Sequence, residues 1–221
     1  MDILNFISWI KSGKYSPTMP PDAVTVVGVP NPTRDDKYLP ITVPVSAFTT
    51  LAETNIGKLL GGGIVVGEWD KNGVKKALIA SLTNLSSSIV WTVPAQQTNL
   101  IGITAQSSSD GLTNTDAIIA QTGVPATTAY AAGIARLFAD GGYNDWYLPA
   151  SWELNMCYNS AAIVNKILGA NGFVNGSNFY WSSTERDANG AFYLNSGFGS
   201  QAPSNKATST YYVRAVRIHN I

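Results

Sequence analysis

Prolines are concentrated near the amino terminus, where residues 15–50 hold seven of the eleven in the chain. Proline fixes φ and lacks an amide hydrogen, so this density excludes helix and favours extended backbone. Two runs within the segment, residues 23–29 and 39–45, have the composition of short strands. We therefore expect an extended arm, which either lies along a neighbouring subunit or serves as an ordinary linker.

A short apolar helix is predicted ahead of this arm, over residues 1–14. Asp2 can cap its amino end and Gly13 can stop it. A helix this short is marginal in water, so we expect its apolar face to dock on its own domain, on a partner or on a membrane surface. The residues expected to make this contact are Ile3, Phe6, Ile7, Trp9 and Ile10. We predict that residues 1–48 form an attachment and oligomerisation segment, with a homotrimer as the leading assembly.

Charge and cysteine content limit what the chain can bind. Fourteen basic residues balance fourteen acidic ones, and charged residues are only 13% of the chain. Without a long-range field, binding to nucleic acid is not expected. The single cysteine, Cys157, excludes intrachain disulfides and cysteine-rich zinc sites, and we expect a packed thiol. No apolar run approaches the ~18 residues that span a bilayer, so no membrane insertion is expected, and we identify no signal peptide.

From residue 55 the composition becomes typical of a packed domain, which we place at 55–221. Strands are predicted at both of its ends and helices in its middle, which favours an α+β fold whose end strands pair. A turn signal at 70–73 separates the first strands. The strand candidates are residues 56–69, 74–81, 179–182, 191–195 and 211–218. The helix candidates are residues 113–121, 127–140 and 151–168, the last broken near Asn159.

Residues that could support catalysis are sparse and poorly arranged. The glycine run at 61–63 lacks the spacing of a phosphate-binding loop. His219 is the only histidine and lies close to the carboxy-terminal residue, where an exposed side chain is expected. No local pattern opposes two carboxylates across a cleft. We predict no catalytic residue, no cofactor and no metal site.

Three aromatic segments are the most informative: residues 145–149 (DWYLP), 180–185 (YWSSTE) and 212–217 (YVRAVR). The indoles at 146 and 181 are large apolar anchors expected in the core. A helix is expected to start at Pro149, and the acid at 153 can close its cap. The two arginines at 214 and 217 fall on opposite faces of a strand, so one is expected to pair internally and the other to meet solvent. The structural motif residues are Trp146, Leu148, Pro149, Glu153, Trp181, Glu185, Arg214 and Arg217.

Together with an opening IG at 56–57 and GGIV at 62–65, these segments resemble the Lcl carboxy-terminal domain family. The resemblance covers about residues 55–219 in four ordered motifs. It implies a C-type lectin-like fold with adjacent termini, long loops on one side, and a binding function. Calcium-dependent sugar lectins of this fold use an EPN or QPD loop and a WND strand, which are missing here. Formylglycine-generating enzymes share the fold but need a cysteine pair, and this chain has one cysteine.

The segment from Arg186 to Thr210 is a long polar stretch broken by a short strand at 192–194. Its small polar residues and one isolated aromatic suit an adaptable recognition surface, although a solvated loop without a ligand is equally open. The candidate ligand-binding residues are Arg186, Asp187, Asn189, Phe198, Gln201 and Asn205. We expect this binding to be independent of calcium, because no acidic cluster is present.

The first 50 residues also resemble the attachment leader of a tailed-phage fibre or decoration protein, without a strict shared motif. We therefore predict a phage virion protein. Its amino terminus would bind other virion proteins, and its lectin-like domain would bind a host-surface glycan or protein. A bacterial cell-surface adhesin of the same family is the alternative, and an enzyme on the same fold is a third hypothesis.

Overall fold

The computed structural model describes residues 23–30, 38–44, 54–122, 127, 129–173 and 178–221. The chain divides into two compact units, residues 1–54 and 55–221. In the first unit, strand β1 (Ala23–Pro30) pairs with strand β2 (Tyr38–Pro44) in an antiparallel two-stranded sheet. Both strands predicted in the arm are therefore present, and they pair with each other. The predicted helix at 1–14, with its contact residues, lies outside the described residues.

The second unit is α+β, as the order of its predicted elements indicated. In chain order its elements are β3 (Leu59–Leu60), β4 (Gly63–Lys71), β5 (Val74–Ala80), β6 (Ser86–Ile89), α1 (Gly111–Thr122), α2 (Ala131–Leu137), α3 (Ser151–Leu168), β7 (Phe179–Glu185), β8 (Gly190–Asn195), β9 (Gln201–Asn205), β10 (Tyr211–Val213) and β11 (Val216–Asn220). Short 3₁₀ turns occur at Pro94–Gln96, Ile103–Ala105 and Gly169–Asn171. Among the described residues, no helix is both long enough and apolar enough to cross a membrane.

A four-stranded antiparallel sheet brings the two ends of the unit together, with strand order β11-β5-β4-β3. The prediction that the end strands pair is confirmed, because β11 lies beside β5 along its whole length. β4 and β5 are joined by the predicted turn, in which Asn72 and Gly73 have φ of 56° and 78°. The Asp70 carboxylate accepts the Gly73 N–H at 2.8 Å, which fixes the turn.

The second sheet is five-stranded, with order β6-β10-β7-β8-β9. β10 runs parallel to β7, and the other neighbours are antiparallel. Two clusters of buried side chains lie between the sheets and helices. One includes three tryptophans, Trp91, Trp146 and Trp181. The other joins α3 to both sheets through residues such as Leu154, Cys157 and Val216.

Helix α2 is shorter than the predicted helix at 127–140. Tyr130 is extended, with φ −149° and ψ 160°, and the Ala131 N–H donates to Val90 O at 2.9 Å. After Leu137 the backbone of Phe138 leaves the helix, and its ring packs edge-on against Trp146 at 5.1 Å between centroids. Tertiary contacts at both ends thus override the helical propensity of the flanking residues.

Helix α3 is continuous through Asn159, where a break was predicted. Asn159 lies on the exposed side of the helix, where its side chain costs little. The predicted strand at 211–218 is instead two strands, since the chain passes from one sheet to the other between Val213 and Val216. The short polar strands β6 and β9 were not predicted.

Candidate ligand-binding groove

A groove of about 450 Å³ opens where the β4–β5 hairpin meets the amino ends of α1 and α3. Its walls combine two indoles, two aliphatic side chains and several charged or hydroxyl groups. They are Trp69, Lys71, Lys76, Ser109, Asp110, Leu112, Trp152, Glu153 and Ile218. Concave sites with an apolar lining and a few polar groups are the usual form of ligand pockets.

Two tryptophans form the aromatic wall of this groove. Trp69 lies near the end of β4, and Trp152 is the second residue of α3. The backbone N–H of Trp152 donates to Ser108 O at 2.8 Å. The rings meet edge to face, with centroids 6.1 Å apart and planes at 77°. Trp152 remains 43% exposed. An indole that faces water on a fixed helix start offers a ligand a large stacking surface at little entropic cost.

Charged groups of both signs lie around the indoles. Lys76 Nζ donates to Asn220 Oδ1 at 2.8 Å across the strands. The Asp110 carboxylate caps α1, accepting the Thr113 N–H at 3.0 Å and its hydroxyl at 2.8 Å. Among the residues the structure describes, Lys71 makes no ion pair. A polar ligand stacked on the indoles would therefore meet both donors and acceptors.

Glu153 borders the groove but is itself buried. Its carboxylate accepts the Tyr147 hydroxyl at 2.8 Å and the Ala150 N–H at 2.8 Å. Burial raises the pKa of Glu153 to about 7. Both oxygens are engaged by donors near the start of α3, so Glu153 caps the helix that Pro149 precedes, which is the role expected from the sequence.

The aromatic motifs pack against one another in the buried core. Trp146 and Trp181 are fully buried, and their indole N–H groups donate to Tyr143 O at 3.2 Å and Ile89 O at 2.9 Å. The Leu148 N–H donates to the Thr115 hydroxyl at 3.1 Å, and Pro149 O accepts the Ser183 N–H at 2.8 Å. The segments at 145–149 and 180–185 are thus joined through backbone as well as side-chain contacts.

A comparison with known protein families identifies the family to which the aromatic motifs belong. The model of the Lcl C-terminal domain matches residues 81–217, more than half of the chain. The chain belongs to the Lcl C-terminal domain family. The family predicted from the four motifs is therefore confirmed.

The comparisons with curated proteins and with solved structures add no functional information about the Lcl domain. No curated protein matches the chain. Among solved structures, it is similar to a fimbrial protein from Bacteroides ovatus, with 17% sequence identity and a TM-score of 0.45. The similarity covers 64% of this chain and 35% of that one, so the match takes in about a third of the fimbrial protein.

Both arginines of the last Lcl motif are buried, which corrects the expectation that one would meet solvent. Arg217 forms a bidentate pair with Asp145 at 2.6 and 2.9 Å, and its guanidinium lowers the pKa of that carboxyl. Arg214 donates to Ser81 O at 2.9 Å and lies 4.4 Å from the Phe173 ring centroid. The side chains of Arg214 and Arg217 do not follow the in-and-out alternation of a single strand, because the chain passes from one sheet to the other between Val213 and Val216.

A buried ion pair in the Lcl domain links Glu185 to Lys206, with Nζ 2.8 Å from Oε1 and both side chains fully buried. Glu185 also accepts the N–H groups of Ile101 at 3.0 Å and Gly102 at 2.8 Å. Lys206 Nζ donates further to Asn99 O at 3.0 Å. Lys206 lies in the polar segment from Arg186 to Thr210, for which a recognition surface or a solvated loop was expected, so its complete burial differs from that expectation.

Four of the six predicted ligand-binding residues lie together, and Phe198 and Gln201 lie apart from them. The segment from 186 to 210 contains the antiparallel pair of β8 and β9 rather than one long loop. Arg186, Asp187, Asn189 and Asn205 line a shallow hollow of about 250 Å³ at one end of this pair. Phe198, 79% exposed, lies in the turn at the other end, and Gln201 Nε2 donates to Ser151 O at 2.6 Å.

The aromatic groove was not predicted. Trp69 and Trp152 are far apart in the sequence, and each occurs in a stretch that predicts an ordinary strand or helix. The available signal was the position of Trp152, directly after the DWYLP motif and at the expected start of a helix, where a second large indole is not needed for the core.

Proposed function

We propose that the chain is a surface-displayed binding protein, and that its Lcl domain is a C-type lectin-like module that holds a ligand in the groove between Trp69 and Trp152. The observation that carries this proposal is the exposed indole of Trp152 beside Trp69, with donors and acceptors around them. Burying such an indole against a ligand is favourable by about 25 cal/mol per Å² of apolar surface. The Trp152 indole is not part of the buried core cluster that contains Trp91, Trp146 and Trp181.

The surroundings of Glu153 at the groove and of Cys157 in the buried core support binding rather than catalysis. The Glu153 carboxyl, with a pKa of about 7, is buried and engaged by two donors. Burial raises the pKa of Cys157 to about 12, so its thiol is a poor nucleophile. We propose a non-enzymatic role without a cofactor.

In the more specific form of the proposal, the protein is a virion component of a phage. Residues 1–48 would attach it to other virion proteins or to sister subunits, and the Lcl domain would bind a glycan or protein on the host surface. The low charge content supports a role on an exposed particle surface. Immunogold labelling of virions and of bacterial cells separates this location from display on the bacterial surface.

The binding site is tested by measuring adhesion of the purified full-length protein to candidate host cells and to a glycan array. Trp152→Ala should weaken binding at least tenfold, which corresponds to about 1.4 kcal/mol. Phe198→Ala is the matched control, because it removes an exposed aromatic outside the groove. Chelator should leave binding unchanged.

Other outcomes of the adhesion assay would place the site elsewhere or show that it needs calcium. Binding lost in Phe198→Ala but retained in Trp152→Ala would move the site to the β8–β9 turn. Binding lost on chelation would refute the calcium-free site. Folding of each variant is checked by near-ultraviolet circular dichroism, so that loss of binding is separated from loss of structure.

A further inference from the structure

Strand β11 lies at one edge of the four-stranded sheet, so β5 pairs only one side of its backbone. The Ile221 N–H donates to Lys75 O at 3.0 Å, which fixes which residues of β11 bond to β5. Because antiparallel neighbours bond through alternate residues, Val216, Ile218 and Asn220 direct their N–H and C=O groups away from β5. These three residues form the outer edge of β11.

Part of this outer edge is already paired within the chain. Tyr147 and Val216 exchange two backbone hydrogen bonds of 2.9 Å in an antiparallel bridge. The outer edge therefore has a geometry that accepts a further strand. Beyond Val216, no strand of the described residues lies beside Ile218 or Asn220, and both residues are exposed. The backbone donors and acceptors of these two residues thus remain open to pairing.

The edge strand β9 of the five-stranded sheet is protected against pairing, whereas β11 is not. The Asn195 N–H donates to Ser200 O at 2.8 Å, and from this register Pro203, at the centre of β9, faces outward. Proline has no N–H to offer, and an edge proline prevents unwanted strand pairing. On the outer edge of β11, Ile218 and Asn220 are neither prolines nor charged residues. This difference favours the outer edge of β11 as a site where a strand is added.

The open part of the outer edge borders the ligand groove. Ile218 lines the groove and is 38% exposed, and so is Leu112 near the start of α1. The Asn220 side chain is held by Lys76, which also lines the groove. Successive side chains of a strand point to opposite faces of its sheet. A residue paired beside Ile218 would therefore direct its side chain toward the groove.

We propose that the ligand of the groove is an extended peptide segment of another protein, which adds a strand to β11 and places a large apolar side chain against Ile218, Leu112 and Trp152. This inference rests on the proposed binding function and names the class of its ligand. Backbone hydrogen bonds to Ile218 and Asn220 hold the peptide, and the groove selects its side chain. A second copy of β11 would bring only Ile218 and Asn220 to this face, and neither side chain is large enough to fill a groove of about 450 Å³.

Peptides selected on the full-length protein from a random library displayed on filamentous phage test the proposal. The selected peptide is synthesised with a fluorophore, and its Kd is measured by fluorescence anisotropy. Asn220→Pro removes the outward N–H without breaking a hydrogen bond to β5 and should weaken binding about tenfold. Asn220→Ala is the matched control, because it also loses the contact with Lys76 but keeps the N–H. Trp152→Ala should weaken binding of the same peptide, and circular dichroism checks the folding of each variant.

Single N-methyl groups along the backbone of the selected peptide provide a second measurement. In a strand added to an edge, only alternate N–H groups of the peptide point to β11. Methylation should therefore abolish binding at alternate residues and change the Kd by less than about twofold at the residues between them. A peptide held only by its side chains would not show this alternation.

The outcomes separate this inference from the proposed function on which it rests. Equal affinities of Asn220→Pro and Asn220→Ala, or no alternation in the N-methyl series, would overturn strand addition. A glycan bound through Trp152, with no peptide that depends on Trp152, would overturn the peptide ligand and leave the binding function of the groove intact. If neither a peptide nor a glycan depends on Trp152, both proposals fail. Dimers that are lost in Asn220→Pro would overturn the inference in favour of a second copy.

Discussion

Replacing Lys206 by methionine should destabilise the Lcl domain by about 3–5 kcal/mol, because it leaves the Glu185 carboxylate buried without its counter-ion. The two groups are 2.8 Å apart and fully buried, so solvent cannot take over the role of the ammonium. Methionine is unbranched like lysine and fills most of the same space, although it loses the contact of Nζ with the Trp91 ring, 5.2 Å from its centroid. The expected loss is therefore electrostatic rather than a cavity effect. For a unit of this size it corresponds to a fall in Tm of roughly 10 °C.

The measurement is urea and thermal unfolding of the full-length protein, followed by tryptophan fluorescence. Arg186→Met is the matched control, because the neighbouring Arg186–Asp187 pair is about half exposed and should contribute less than about 1 kcal/mol. Adding Glu185→Gln to Lys206→Met should recover at least half of the loss. Glutamine is neutral and its carbonyl oxygen can still accept from Ile101 or Gly102. Equal losses for Lys206→Met and Arg186→Met, or no recovery with glutamine, would refute the reasoning.

Two further predictions concern the core and the start of α3. Trp146→Ala and Trp181→Ala should each lower the free energy of unfolding by ~3–5 kcal/mol, measured in urea; a variant that keeps its stability but loses binding would make that indole a ligand contact. Glu153→Gln should change the pH dependence of stability. The folded pKa of Glu153, about 7, lies above the ordinary 4.5. Between those pH values wild type should therefore lose roughly 3 kcal/mol relative to the glutamine variant as pH rises, and parallel stability profiles would contradict this.

Much of the fold follows from local sequence signals. The Asn72-Gly73 turn, the start of α3 and the strands of the aromatic motifs depend on residues close to one another in the chain, so pattern and turn chemistry identify them. The family followed from the order of four motifs. The ends of α2 did not, because they are set by contacts of Tyr130 and Phe138 with distant parts of the chain.

The polar strand β9 and the buried Glu185–Lys206 pair could not be predicted from the sequence for a related reason. The β9 sequence, Gln-Ala-Pro-Ser-Asn, carries no β-forming pattern, and it is a strand because β8 offers it a hydrogen-bonding edge. Lys206 follows directly and is buried because Glu185 lies opposite. Nothing near Lys206 in the sequence distinguishes it from a solvated lysine.

The candidate site was missed because it is assembled from separate elements. Small polar residues between 186 and 210 suggested an adaptable loop, but pairing of β8 with β9 separates Phe198 from the polar residues at the other end. The groove instead depends on the packing of the β4–β5 hairpin against α3. Such a site can be recognised only once the two tryptophans are placed in space.

The shared sheet of the first and last strands makes the Lcl domain suitable for grafting. Asn55 hydrogen-bonds to Glu68, which lies opposite Ala77, and Ala77 lies opposite His219. Glu68 and His219 are thus about two strand spacings apart, roughly 10 Å, and Asn55 lies within hydrogen-bonding distance of the Glu68 carboxylate. A domain with such ends can be inserted into an exposed turn of an unrelated carrier through a short linker on each side. The insertion would cost the carrier little loop-closure entropy, so the groove could be transferred without rebuilding either protein.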